Sequence, residues 1–416
     1  MSGFQRNSSG QAVIGAAVLQ HIVETGTLTT PAYIYDLDGI EEGAKALVDA
    51  LGHDNIVAYA VKANTAGSVV KRVARAGAGA DVVSAGELQV ALACGVPPAR
   101  IVMSGVGKDT AEFDQAISAG IRGIQVESVE EIARLAARAS ALSHDANVSI
   151  RINPSVEIDS HSHIATGHDE AKFGVHLDDL DRAWAAIDAA PHLKAVGVSA
   201  HVGSMLTSPE PYVASAKVVC DSAKARRAMG KMLEFVDLGG GFGIDYGGQP
   251  AQPPTVFAKA ALQLLAEQEL ADHQLVVEPG RSIVGPYGVL LTRVLQSKTS
   301  SPRRWAMIDA GMNDLLRPAL YQAHHRVESL SAPPSGTPWR VVGPVCESSD
   351  DFGLHAISET LPDYVVIRDA GAYGFTLASE YNGRALAAEA FISKGQIESI
   401  SASPGVDAWI KSRLDA

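Results

Sequence analysis

Between residues 55 and 281, short runs rich in β-branched residues alternate with Ala-rich amphipathic segments, and no other feature constrains the fold as strongly. Such alternation builds a parallel sheet with crossover helices. The runs are NIVAYAVK ending at Lys62, GADVVSA at Ala85, IVMSG at Gly105, GIQVES at Ser128, VSIRINP at Pro154, AVGVSAHVG at Gly203, LEFVDLGG at Gly240 and QLVVEPG at Gly280. Between them, segments such as GSVVKRVARAG, SVEEIARLAARA and TVFAKAALQLLAEQELA read as helices, and Ser128 to Glu131 has capping-box spacing. Eight strand-helix units predict a closed (β/α)8 barrel, with an open doubly wound sheet as the alternative.

After Arg281 the character changes. IVGPYGVLLTRVLQ, RRWAMIDAG, WRVVGPV, PDYVVIRDAG and ALAAEAFISKG are strand-like and are divided by clusters such as APPSGTP. They predict a second, mostly β domain, and the early run PAYIYDLD reads as a strand that joins it. The expected division is an N-terminal segment 1–37 joining the β domain, a barrel over 38–282 and the C-terminal β domain over 283–416.

Charge and cysteine usage narrow the function. With 34 Lys and Arg against 47 Asp and Glu, the net charge of −13 argues against nucleic acid as a partner, which needs clustered basic residues. Cys94, Cys220 and Cys346 are too few and scattered for a disulfide framework or a zinc cage, so a reducing cytoplasm is expected. The start MSGFQRNSSG lacks secretory features, and no apolar run reaches the roughly 18 residues that span a bilayer, so no membrane partner is expected. Small-molecule chemistry remains.

In such barrels the active face lies at the C-terminal ends of the strands. Lys62 ends the first run, where lost solvation would make its amine a nucleophile suited to a Schiff base; a surface lysine is the plainer reading. GGGFGI (239–244) and EPGR (278–281) follow the seventh and eighth runs, where glycine lets backbone N–H groups approach a phosphate, although a structural turn also explains a glycine run. An amine and a phosphate cradle together point to pyridoxal phosphate. That cofactor requires an acid for its ring nitrogen, for which Glu278 and Asp81 compete, unless Asp81 is simply the ion-pair partner of Lys62. His201 could stack on a flat ring while Ser204 donates to phosphate. His161, His163 and His168 cluster in the loop SHSHIATGHDEAKFGV, but their spacing is poor for a metal site, and a solvated loop is the simpler reading.

In the β domain DAGMNDLLRPALY offers Arg317 and Tyr321, GPVCESSD offers Cys346 and Glu347, and DAGAYG offers Tyr373. Arg suits a carboxylate, Glu an ammonium, Tyr a phosphate, and an accessible Cys suits proton donation. Each has a bland structural reading, whereas together they describe a site for an amino acid.

At these residues the chain resembles the diaminopimelate decarboxylase family, within the alanine-racemase-like (fold type III) pyridoxal-phosphate enzymes. The resemblance rests on YAVKAN, ADVVSAGEL, HIATG with KFG, HVGS, GGGFGI, EPGRSIVG, DAGMNDLLRPALY, GPVCESSD and AGAYG in that order. It implies a (β/α)8 barrel with a β domain that includes the N-terminal strand. It also implies that Lys62 carries the cofactor, that Glu278 meets its ring nitrogen and that His201 packs on its ring. Ser204, Gly241, Gly280 and Tyr373 would hold the phosphate, with Asp81 and Arg281 also at the cofactor. Arg281, Arg317, Tyr321, Glu347 and Tyr373 would bind substrate, and Cys346 would return the proton after carbon dioxide leaves. Cys346 and Glu347 would reach the site from the other subunit of a homodimer. Two departures stand out: no Arg-Pro step follows the Asn-containing turn in SEYNGRALAAEAFI, and CESSDDFG has a second Asp where an apolar residue is commoner. The reaction implied is decarboxylation of meso-2,6-diaminopimelate to L-lysine. The alternatives are the same chemistry on a conjugated amino acid of specialised metabolism, such as a siderophore intermediate, a racemase, and a non-catalytic cofactor carrier.

Overall fold

A computed structural model describes residues 3–154, 172–248, 250–300 and 302–414. The chain divides into two compact units, Gly43–Ile244 with Ala251–Ser282, and Met1–Glu42 with Asp245–Pro250 and Ile283–Ala416. The division falls inside the helix Leu37–Leu51 rather than ahead of it. Residues 245–250 also group with the β unit, because Tyr246 packs there against His325 and Arg317.

The first unit is a closed parallel barrel of β1 (Ile56–Ala60), β2 (Gly79–Val82), β3 (Ile101–Met103), β4 (Gly123–Val126), β5 (Ala146–Arg151), β6 (Leu193–Ser199), β7 (Phe235–Gly240) and β8 (Gln274–Glu278), paired in sequence order. Pairing of Val276 and Val277 with Ile56 and Val57 closes the ring. The open-sheet alternative is thereby excluded. Strands buried on both faces read as continuous apolar runs, which is why they are legible in the sequence. Inside, Ile56, Ala58, Val102, Val196, Phe235 and Val276 form a packed cluster. Phe235 fills its centre, and a Cβ on Gly197 would come within 2.4 Å of the Phe235 ring.

Seven of the eight strands end two to four residues before the corresponding run does, since the polar tail of the run forms the following turn, whereas β7 and its run end together at Gly240. β1, for example, gives way to the single 3-10 turn Val61–Ala63, which carries Lys62. The helix Val129–Leu142 is capped by Ser128 Oγ accepting from Glu131 N–H, but the Glu131 side chain reaches Glu127 N–H and Lys108 instead of closing the box. A complete capping box forms at Asp109 and Glu112, ahead of the helix Thr110–Ala119.

The second unit is mostly β. The strand Gly288–Ser300 is its spine and pairs antiparallel with Ala32–Asp36, Arg303–Ile308 and Tyr364–Ile367. PAYIYDLD therefore supplies a strand of this sheet, which pairs in parallel with Ala388–Ser393 on its other side. Alternate residues of these strands, Ile34, Val289, Leu291, Val366, Ala390 and Ile392, form the core with Phe4, Ile14, Leu19 and Ile22. The last four come from an N-terminal hairpin and short helix absent from the sequence reading. The C-terminal helix Gly405–Leu414 is also additional, and none of its residues is buried.

Candidate active site

At the C-terminal ends of the barrel strands, Lys62 Nζ lies 2.8 Å from Asp81 Oδ2. The Lys62 side chain is 40% exposed, so it is not the desolvated amine the sequence reading expects; Asp81 is fully buried and balances its charge. Burial opposes ionisation of Asp81, but the Lys62 ammonium and hydrogen bonds from Lys62 and Ser104 outweigh it and hold the carboxyl below its ordinary range. Asp81 is thus committed to Lys62, as the simpler of its two readings has it.

Glu278 ends β8 and is buried. Its Oε1 accepts from Gln125 Nε2 at 2.8 Å, and the same amide nitrogen donates to Asp237 Oδ2 at 2.8 Å. Burial, then the negative charges of Asp237 and Asp81, raises Glu278 well above the carboxylate range. Burial likewise pushes Asp237 up to about 6. Two carboxyl groups that share one amide in a buried place cannot both be charged at low cost, so the pair retains a proton. Gln125 and Asp237 are absent from the sequence reading. Their signal was available: each is a polar residue inside a barrel strand, in GIQVES and VDLGGG.

His201 Nδ1 accepts from Gly240 N–H at 3.3 Å, which leaves the ring proton on Nε2. Burial, then the positive charges of Arg151 and Lys62, pushes its pKa down to about 3, so it offers a neutral flat ring. Arg281 donates from Nη2 to Ser204 Oγ at 3.1 Å, joining two residues expected to act separately. Arg151, missed by the sequence reading, is held by Glu127 at 3.0 Å and lies 4.8 Å from the Phe173 ring of the KFG motif. HIATG and the three loop histidines His161, His163 and His168 fall outside the described residues.

The glycine run has a packing role of its own. A Cβ on Gly240 would stand 1.9 Å from the Glu278 carbonyl oxygen of the neighbouring strand, while the Gly241 carbonyl accepts from Leu206 N–H at 2.9 Å. Gly240→Ala is therefore expected to lower stability by about 3 kcal/mol or more, read as a shifted midpoint in urea denaturation. Gly280 is also tight, with its Cβ position 3.0 Å from Ala60 and Ala63.

The β unit carries the remaining residues. Arg317 begins the short helix Arg317–Tyr321 and Tyr321 ends it one turn later, on the same face. Arg317 is buried with its guanidinium 4.3 Å from the Tyr246 ring centre, and its Nη1 lies 2.5 Å from His325 Nε2. Cys346 and Glu347 are exposed on one loop. Asn382 Oδ1 accepts from Cys346 N–H at 3.0 Å, and Tyr381 donates its hydroxyl to Glu347 Oε1 at 2.6 Å. The Asn-containing turn therefore braces the CES loop, with Asn382 at φ 58. Tyr373 is also left-handed, at φ 55. The extra Asp of CESSDDFG, Asp351, pairs with Arg340 and caps Gly353 N–H, so this departure makes an ion pair of its own.

The donor set fits pyridoxal phosphate: an amine beside a carboxylate, a proton-bearing carboxyl, a neutral ring and a guanidinium beside glycine-rich turns. A family model described as "Pyridoxal-dependent decarboxylase, pyridoxal binding domain" matches residues 37–285, which places the chain among pyridoxal-phosphate enzymes of this barrel class. The diaminopimelate decarboxylase of Zymomonas mobilis is 39% identical over 372 residues, 88% of each chain, and that of Aquifex aeolicus is 34% identical over 98% of this chain and 96% of its own. The diaminopimelate decarboxylase of Helicobacter pylori, solved in complex with L-lysine, is 36% identical and superposes with a TM-score of 0.87 over 95% of this chain and all of its own. That of M. jannaschii, also in complex with L-lysine, is 31% identical, with a TM-score of 0.91 over the whole of this chain and 99% of its own. The chain belongs to the diaminopimelate decarboxylase family.

Proposed function

We propose that the protein decarboxylates meso-2,6-diaminopimelate to L-lysine with pyridoxal 5'-phosphate as cofactor. The observation that carries this reading is the shared barrel end, where the Lys62 amine, held by Asp81, and the proton-bearing Glu278 carboxyl lie within electrostatic reach of each other. When bound, the cofactor supplies a protonated ring that withdraws electrons from the bond to the departing carboxylate.

Lys62 would anchor the cofactor through its amine, and Asp81 balances the charge on that group when it is an ammonium. Glu278 would hold a proton at the cofactor's ring nitrogen, and Asp237 and Gln125 hold Glu278. The neutral His201 ring would pack on the cofactor face without adding charge. Gly241, Gly280 and Ser204 would hold the phosphate, with Arg281 steadying Ser204, and Tyr373 is read as a further phosphate donor. Arg317 and Tyr321 receive the distal carboxylate and Glu347 the distal ammonium. A substrate without either group loses much of its transition-state stabilisation. Cys346 delivers the proton that replaces carbon dioxide.

Cys346 and Glu347 are read as acting across a homodimer, and their exposure on a braced loop supports this. The three cysteines are free thiols, in keeping with a cytoplasmic setting, and among the described residues no helix is long and apolar enough to cross a membrane. Cys346→Ala is expected to slow turnover about 100-fold with cofactor absorbance intact. Mixed with subunits carrying Lys62→Ala, it should regain activity, because one composite site of such a hybrid is whole. An inert mixture argues that each site is built from one chain. Lysine formation from meso-diaminopimelate, followed by chromatography, tests the reaction itself, and a cofactor-loaded protein that leaves this substrate untouched overturns it.

A further inference from the structure

His325 follows the Arg317–Tyr321 helix closely and is 1% exposed. Its two ring nitrogens are engaged in opposite senses. Nδ1 lies 2.9 Å from the carbonyl oxygen of Arg368, which can only accept, so Nδ1 carries the proton. Nε2 lies 2.5 Å from Arg317 Nη1, which can only donate, so Nε2 carries the lone pair. The imidazole is therefore neutral and in one tautomer. Protonating it would set two donors against each other beside a guanidinium.

The surroundings hold this arrangement in two ways. The Tyr246 ring meets the His325 ring edge-on, with centroids 4.8 Å apart, and also lies against the Arg317 guanidinium. Arg368 N–H donates to the Arg326 carbonyl at 2.9 Å, and Arg326 Nη2 donates to Asp369 Oδ2 at 3.0 Å, fastening the segment that carries His325 to the end of strand Tyr364–Ile367. A guanidinium stacked on an aromatic ring and hydrogen-bonded at one edge loses little further freedom on meeting a carboxylate, and bidentate recognition depends on that plane being fixed.

We infer that His325 is a positioning residue that, as the Nδ1–H tautomer anchored on the Arg368 carbonyl, fixes Arg317 against Tyr246 for capture of the substrate's distal carboxylate. The inference rests on the assignment of Arg317 above and adds a residue that determines specificity without touching substrate.

The test uses the cofactor-loaded enzyme and two probes. L-lysine keeps the distal carboxylate; cadaverine is the same diamine without it. In His325→Phe the dissociation constant for L-lysine, measured by calorimetry, is expected to rise about tenfold, or about 1.4 kcal/mol, with cadaverine binding and cofactor absorbance unmoved. KM for diaminopimelate should rise by more than kcat falls. His325→Gln, whose amide oxygen can accept from Arg317, should recover most of the affinity for L-lysine. If His325→Phe does not fold, His325→Asn takes its place, since it retains a donor for Arg368 but is too short to reach Arg317. Arg317→Met separates the two claims. If Arg317→Met weakens L-lysine binding and the His325 variants do not, or if Gln recovers no more than Phe, the positioning role is overturned. If Arg317→Met leaves L-lysine binding unchanged, the carboxylate assignment itself fails and the inference falls with it.

Discussion

Replacing Lys62 with alanine is expected to reduce decarboxylation at least about 1,000-fold, because it removes the amine proposed to anchor the cofactor. The loss should be accompanied by a specific chemical signature. Borohydride treatment of the parent protein should fix the vitamin B6 label on the peptide that contains Lys62, and treatment of the variant should leave that peptide unlabelled. Asp81 makes the prediction sharper. With Lys62 gone, a fully buried carboxylate loses the ammonium that balances it and keeps the hydrogen bond from Ser104, so the variant should also be less stable at neutral pH than the parent. Lys62→Ala that keeps appreciable turnover, or a label that maps elsewhere, removes the basis of the proposed function.

The second large effect is expected at Glu278. Glu278→Gln should lower turnover about 10²- to 10³-fold, since an amide can donate toward a ring nitrogen or accept from it but cannot hold a transferable proton there. Asp237→Asn examines the same pair from behind, and its sign can be worked out. In the folded protein the Asp237 carboxyl is raised to about 6 by burial, above its unfolded value. Such a group favours the folded state fully at low pH, and that advantage is lost as pH rises through the folded pKa. Cofactor-free parent protein should therefore lose stability between about pH 4 and pH 6, by on the order of 1–3 kcal/mol. Asp237→Asn should flatten that part of the profile. Urea midpoints at several pH values provide the measurement, and equal slopes in parent and variant would show that Asp237 is not the titrating group.

Much of this architecture was legible from residues alone. The eight barrel strands are buried on both faces, so each reads as an apolar run closed by glycine or a polar residue, and the polar residue that ends a strand is the one that faces the site. Lys62 and Glu278 were found in this way. Asp237 escaped because it stands just ahead of a glycine run that draws attention to phosphate. Gln125 escaped because nothing in GIQVES announces a pairing with residues more than 100 positions away. His325 is one of two adjacent histidines, and what distinguishes it from His324 is its burial against Tyr246, the Arg368 carbonyl and the Arg317 guanidinium, none of which the sequence shows. The N-terminal hairpin was missed because its strands are two or three residues long, too short for alternation to register. The strand-end offsets arise because sequence marks where apolar character stops, whereas backbone pairing stops one turn earlier.

The pairing of Ala32–Asp36 with Gly288–Ser300 and Ala388–Ser393 also bears on how the protein is made. Those five residues leave the ribosome early, but both of their neighbours are encoded after the entire barrel. At roughly 5–20 residues per second, the segment waits on the order of 10–50 seconds before Gly288 emerges, and longer for Ala388. All five are buried in the finished sheet, so during that interval an apolar strand with both edges unsatisfied is exposed in the cell. Chaperone dependence and inclusion-body formation during rapid expression should therefore trace to this N-terminal strand, and polar substitution at Ile34 should ease aggregation of the nascent chain while weakening the completed fold.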